Sequence, residues 1–157
     1  MGDGLGARVL AAARGMIGAR FRPQGRDPAT GVDCVGLVWA AYAAAGYMLP
    51  LPTAYPLRGW GRERVEAALA AAGFERADEG RDGDVALIAL AAGQFHFGVM
   101  GAVSFVHAHA GLRRVVETPV DAAVMRAASW RLCAFGEDQD RISSPFIFVP
   151  LRLCVRF

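Results

Sequence analysis

The stretch GVDCVGLVWAAYAAAG, residues 31–46, decides the fold. It sets Cys34 directly behind an acidic residue and directly ahead of an apolar run that closes on Gly46. Asp33 reads as an N-cap, residues 34–45 as a helix, and Gly46 as the residue that ends it. Val38, Trp39 and Tyr42 are large and apolar around that helix, which makes it central. A structural cysteine would sit inside such a run. On the first turn its sulfur meets unpaired N–H groups and the positive end of the helix dipole, which favour the thiolate nucleophile. Asp33 opposes that effect if it faces the sulfur, and does not if its carboxylate caps the helix amides. Gly36, one turn in, removes a side chain where a substrate or a facing strand would approach.

Outward from this helix the pattern divides the chain in two. Upstream, Val9, Leu10, Ala13 and Ile17 share one face of a helix over 5–17, and residues 18–33, rich in Gly, Pro and Arg, form a loop. Downstream, the prolines of LPLPTAYP demand a loop, and residues 62–72 make a further amphipathic helix closed by Gly73. The texture then changes. DVALIAL, FHFGVM, SFVHAHA and RRVVETP are short strand-like runs between turns, and SWRLCAF and FIFVPLRLCVRF add one or two more. Helices first and strands after predict an α+β fold, with N-terminal helices packed on a central antiparallel sheet of five to six strands.

The totals narrow the function classes. At 157 residues the chain reads as a single domain. A net charge of +2, carried by scattered arginines with no lysine, gives no basic patch for nucleic acid. No run is long enough to span a membrane, and the N-terminus lacks the basic-then-apolar pattern of a secretory signal, so synthesis in the cytoplasm is expected. Cys34, Cys133 and Cys154 are an odd set at unrelated spacings, which predicts free thiols and no disulfide framework. Cys133 and Cys154 fall in apolar runs and read as buried and inert.

His96 opens HFGVM and His107 lies in SFVHAHA, on runs that a short turn would pair as adjacent antiparallel strands. A nucleophile needs a base within hydrogen-bond reach, and the base needs a partner on its other nitrogen. Cys34, His96 and His107 meet that requirement. His109 shares a sheet face with His107, which would give a metal pair, but no second cysteine stands at ligand spacing, and neither a metal nor another cofactor is expected. Asp84 in DGDV reads as a turn residue.

The ordered pieces GARFRPQGRDPATGVDCVGL, RDGDVALI, HFGVM and FVHA resemble the NlpC-type cysteine peptidases of bacterial cell-wall turnover, over about residues 5–117. The resemblance implies a papain-like fold, Cys34 as nucleophile, His96 as general base and His107 as the residue that orients it. It implies hydrolysis of an amide bond in murein stem peptides, usually between D-glutamate and diaminopimelate, through a thioester. The subgroup that it resembles is the phage or phage-tail-like one, which implies action on the wall within a virion-like particle and tail-tip proteins as partners. Alternatives are a structural tail-tip subunit that retains the fold, and a related thiol acyltransferase or amidase. Around the nucleophile, Asp33, Phe21, Gln24 and Arg22 are the substrate-side candidates. Phe21 stands where many members carry a tyrosine, so a hydroxyl is missing there, and Gln24 could restore a donor. Arg22, with Arg20 and Arg26, could meet stem-peptide carboxylates. Residues 136–157 form a C-terminal extension that the resemblance does not explain.

Overall fold

The computed structural model of the chain describes residues 4–50, 55, 61–90, 94–121 and 128–133. Three helices, α1 (Leu5–Gly15), α2 (Cys34–Ala44) and α3 (Arg62–Ala71), accompany two short strands, β1 (Arg26–Asp27) and β2 (Gly31–Val32), in the loop before α2. A main sheet follows from β3 (Phe74–Ala77), β4 (Val85–Ala89), β5 (Phe95–Met100), β6 (Ser104–His109), β7 (Arg114–Pro119) and β8 (Ala128–Leu132). Its order is β3-β8-β4-β5-β6-β7, with every pairing antiparallel. The α+β architecture expected from the sequence is the one observed. FIFVPLRLCVRF, Cys154 and the whole 136–157 extension lie outside the described residues.

Period-two alternation gives this sheet two unlike faces. Val85, Leu87, Val99, Val106, Ala108, Val115 and Trp130 face the helices and join Leu37, Val38, Trp39 and Tyr42 of α2 in one core. Each fully buried aliphatic side chain of this kind stabilises the fold by about 1.5–3 kcal/mol. Ala86, Ile88 and Phe105 form a smaller cluster on the other face. Tyr42 ties α2 to the sheet, its hydroxyl donating to the Gly83 carbonyl at 2.9 Å. Asp84, buried as a turn residue, accepts from the Arg81 N–H at 2.9 Å and receives a bidentate guanidinium from Arg131, with bonds of 3.0 and 2.7 Å.

Two features position the helix that carries Cys34. The segment after α1 runs along the outer edge of β7, where the Gly18 N–H donates to the Val115 carbonyl at 2.9 Å and Val115 returns a bond to Ala19 at 2.8 Å. It then bridges β2 at Phe21–Val32, which delivers the chain to Asp33. Secondly, α2 packs with its first turn against the Gly25 carbonyl. A Cβ on Gly36 would overlap that oxygen and crowd the Arg26 backbone, so the glycine marks the close approach of β1 and the residue that leads into it.

Candidate active site

The site forms where the sheet opens. β5 and β6 pair only at Val99–Val106 and Met100–Phe105. β4 and β5, by contrast, stay paired from Val85–Val99 to Ala89–Phe95. The first half of β5 and the second half of β6 therefore diverge, and the N-terminus of α2 meets the opening. Met100 and Leu90 bond across β4 and β5 through the Asp84 and Gln94 carbonyls, so by alternation the Phe97 N–H points away from β4, into the gap. That N–H donates to the Cys34 sulfur.

Asp33 is the N-cap of α2, with an extended backbone and its Oδ1 accepting from the Gly36 N–H at 2.8 Å. Its other oxygen, Oδ2, accepts from the Gln24 N–H at 2.9 Å and from the Tyr55 hydroxyl at 2.7 Å. This buried carboxylate therefore has a donor on each oxygen. Gln24, at φ +54°, also donates its side-chain amide to the Tyr55 carbonyl at 2.9 Å. Gln24 thus spends its donors on Asp33 and the Tyr55 backbone. Phe21 packs its ring against the helix-side core, and Arg22 is exposed, its backbone N–H bonded to the Val32 carbonyl at 3.0 Å.

The thiol does not behave as its place in the sequence predicts. Cys34 keeps some surface open, yet its sulfur lies deep enough that burial pushes the thiol up to about 11. The negative charge of Asp33 adds to that, while the N–H groups of Phe97, Val35 and Cys34 itself act in the opposite direction. Desolvation of the charged form therefore outweighs the helix end. The expected low-pKa thiolate is replaced by a neutral resting thiol.

His96 and His107 meet as the hairpin pattern predicts. His96 Nε2 lies 2.8 Å from His107 Nδ1, and His107 Nε2 lies 3.2 Å from the Thr118 hydroxyl. Burial, His107 and His109 push His96 down to about 4, and burial and His109 push His107 to about 4. Both rings are neutral near pH 7. Neutral rings can run this chain in either direction, and a base at His96 requires the one in which His96 Nε2–H donates to His107 Nδ1 and His107 Nε2–H donates to Thr118. It leaves His96 Nδ1 as the unprotonated nitrogen. Phe105 stacks on His107 with centroids 4.3 Å apart and planes 18° from parallel, which fixes the ring. His109 caps its own turn by accepting from the Leu112 N–H at 3.1 Å. Among the described residues no His, Cys, Asp and Glu group is arranged to hold a metal ion, and no helix is long and apolar enough to cross a membrane.

Two residues of the site escape the sequence reading. Tyr55 sits in a proline-rich segment whose return to the site has no local signature. Thr118 was legible in principle, because pairing SFVHAH with RVVETP puts it on the same sheet face as His107.

A cysteine opening a helix against an antiparallel sheet that carries two linked histidines defines a papain-like α+β fold. Within that class, the chain has the fold of NlpC/p60 domains. It is similar to the NlpC/p60 domain of the peptidoglycan hydrolase SagA, with 22% identity, a TM-score of 0.51, and coverage of 82% of this chain and 97% of that one. It is similar to NlpC1 from Trichomonas vaginalis at 15% identity and a TM-score of 0.61, covering 84% of this chain but only 45% of that longer one. It is also similar to RipD from Mycobacterium tuberculosis, a non-catalytic NlpC/p60 domain protein adapted to peptidoglycan binding, at 20% identity and a TM-score of 0.58, covering 84% of this chain and all (100%) of that one. No protein-family model and no curated protein sequence matches the chain. At these identities the likeness establishes the fold.

Proposed function

We propose that the chain is a cysteine peptidase acting on peptidoglycan, with Cys34 as nucleophile, His96 as general base and His107 as the residue that orients it. The observation that carries this reading is the His96–His107–Thr118 chain on strands whose Phe97 N–H, one residue past His96, reaches the Cys34 sulfur. The Cys34 proton passes to His96 Nδ1 as the sulfur attacks the scissile carbonyl. The resulting oxyanion is met by backbone N–H groups at the helix start, that of Cys34 among them. His96 returns the proton to the leaving amine, and the bond from carbonyl carbon to nitrogen breaks to leave a thioester. Water, deprotonated by His96, hydrolyses the thioester and restores the thiol. Substrate class comes from the fold relatives, among them a peptidoglycan hydrolase. Cleavage between D-glutamate and diaminopimelate, and action at the tail tip of a phage-like particle, rest on the sequence resemblance alone.

A second reading, wall binding without cleavage, is favoured by the raised thiol and by the non-catalytic domain of the same fold. Digestion of purified peptidoglycan by the protein and by Cys34→Ala separates the two. The peptidase releases soluble muropeptides that Cys34→Ala does not, and their masses name the bond. Co-sedimentation of both proteins with intact peptidoglycan, with no fragments from either, establishes the binding reading and overturns the peptidase.

A further inference from the structure

Tyr55 has no part in the steps above, yet it is clamped to the site at two points, and this inference builds on Cys34 as the reactive thiol. Gln24 holds its main-chain carbonyl, and its buried hydroxyl donates to Asp33 Oδ2 at 2.7 Å. The Arg26 guanidinium lies over its ring, 5.7 Å from the centroid. The carboxylate that receives this hydroxyl belongs to the residue directly before the nucleophile. A thiolate at Cys34 would act on Tyr55 directly.

We propose that Tyr55 is a positioning residue that sets the reactivity of the Cys34 thiol by holding the Asp33 carboxylate and dispersing its charge. A carboxylate beside a nucleophilic sulfur opposes thiolate formation. The arrangement limits that opposition from two sides. The Gly36 and Gln24 amides draw the carboxylate oxygens toward the helix end and the approach loop, and the Tyr55 hydroxyl disperses the remaining charge on Oδ2. Other charged or titratable groups face this cluster. They are Cys34 itself and Arg26 across the Tyr55 ring, while the histidines His96, His107 and His109 act on one another.

The test follows the rate of Cys34 alkylation by iodoacetamide against pH, read by mass spectrometry on the Cys34 peptide so that the other cysteines do not interfere. Tyr55→Phe keeps the ring and removes only the hydroxyl. Its alkylation midpoint rises, with a rate about threefold to tenfold below wild type at a fixed pH near 8. Asp33→Asn, which keeps a capping oxygen without the charge, lowers the midpoint, and in that background Tyr55→Phe produces no further change. Asp33→Ser, another good cap, replaces it if Asp33→Asn does not fold. An unchanged midpoint in Tyr55→Phe overturns the proposal, as does an equal effect with and without the Asp33 charge, which marks Tyr55 as a packing residue only. Because alkylation needs no wall substrate, its result is read independently of whether the protein cleaves peptidoglycan.

Discussion

The histidine pair makes the stability of this protein depend on pH in a window that little else touches. His96 and His107 are held near 4 in the fold, against 6.5 for a free imidazole. The unfolded chain therefore binds protons that the folded chain refuses. The stabilisation is full above pH 6.5 and is lost as pH falls toward 4. Going from pH 7 to pH 5 costs about 1.8 kcal/mol per ring if each shift acts in full. Water reaches part of His96, so about 2–3 kcal/mol for the pair is the working figure. Glu117 stays out of the window, because the Arg14 guanidinium and the Ser104 hydroxyl hold its carboxyl below the ordinary range. Urea unfolding at the two pH values measures the effect, with a midpoint about 1–2 M lower at pH 5. His96→Gln/His107→Gln should lose most of that dependence. A wild-type midpoint that does not move between pH 7 and pH 5, or a double variant that moves as far as wild type, would refute the picture of two neutral buried rings.

Two further substitutions test the supports of the site. Thr118→Val removes the acceptor at the end of the histidine chain, so kcat on a stem-peptide substrate should fall about threefold to tenfold with KM unchanged. Thr118→Ser should restore it, and an equal loss in both would show that the hydroxyl is not the operative group. Gly36→Ala should destabilise by about 2–3 kcal/mol despite alanine's helix preference, since its methyl group would overlap the Gly25 carbonyl. Thermal unfolding reads this as a drop of about 5–10 °C, and a rise would mean that loop and helix are not in contact.

Much of the fold was legible because it rests on short-range patterns. The cap at Asp33, the stop at Gly46 with φ +89°, and the short strand-like runs of β4 to β7 are written in consecutive residues. β3, over FERA, was not, because it is short, half-polar and defined by pairing with the distant β8. The two-residue strands inside the approach loop escaped for the same reason. At the site, the meeting of His96 and His107 followed from adjacent antiparallel strands joined by a short turn, while the β5–β6 register alone would set His96 opposite His109. The acidity of Cys34 did not follow from its position, because a helix start is a local fact while burial depends on how β5, β6 and the loop close over the sulfur. Cys133, expected to be buried, is half-exposed at the end of the described sheet.

The raised thiol bears on how such a site would work. Moving a proton from a thiol near 11 to an imidazole near 4 is about 9 kcal/mol uphill for isolated groups. The attraction between the resulting ions, about 4 kcal/mol at contact in an effective dielectric of about 20, offsets less than half of that. A preformed thiolate–imidazolium pair is then not the resting state. The thiolate forms as the carbonyl is attacked, when its charge passes at once to the oxyanion. Donors fixed in advance serve that moment best, because they need no reorganisation as charge appears. The Phe97, Val35 and Cys34 N–H groups are held in that way by the splayed strand and the helix start, and Phe105, stacked on His107, fixes the ring that bonds the base edge-on. Gly98 makes the last part possible: a side chain there would strike the Phe105 ring and tilt the histidine it supports.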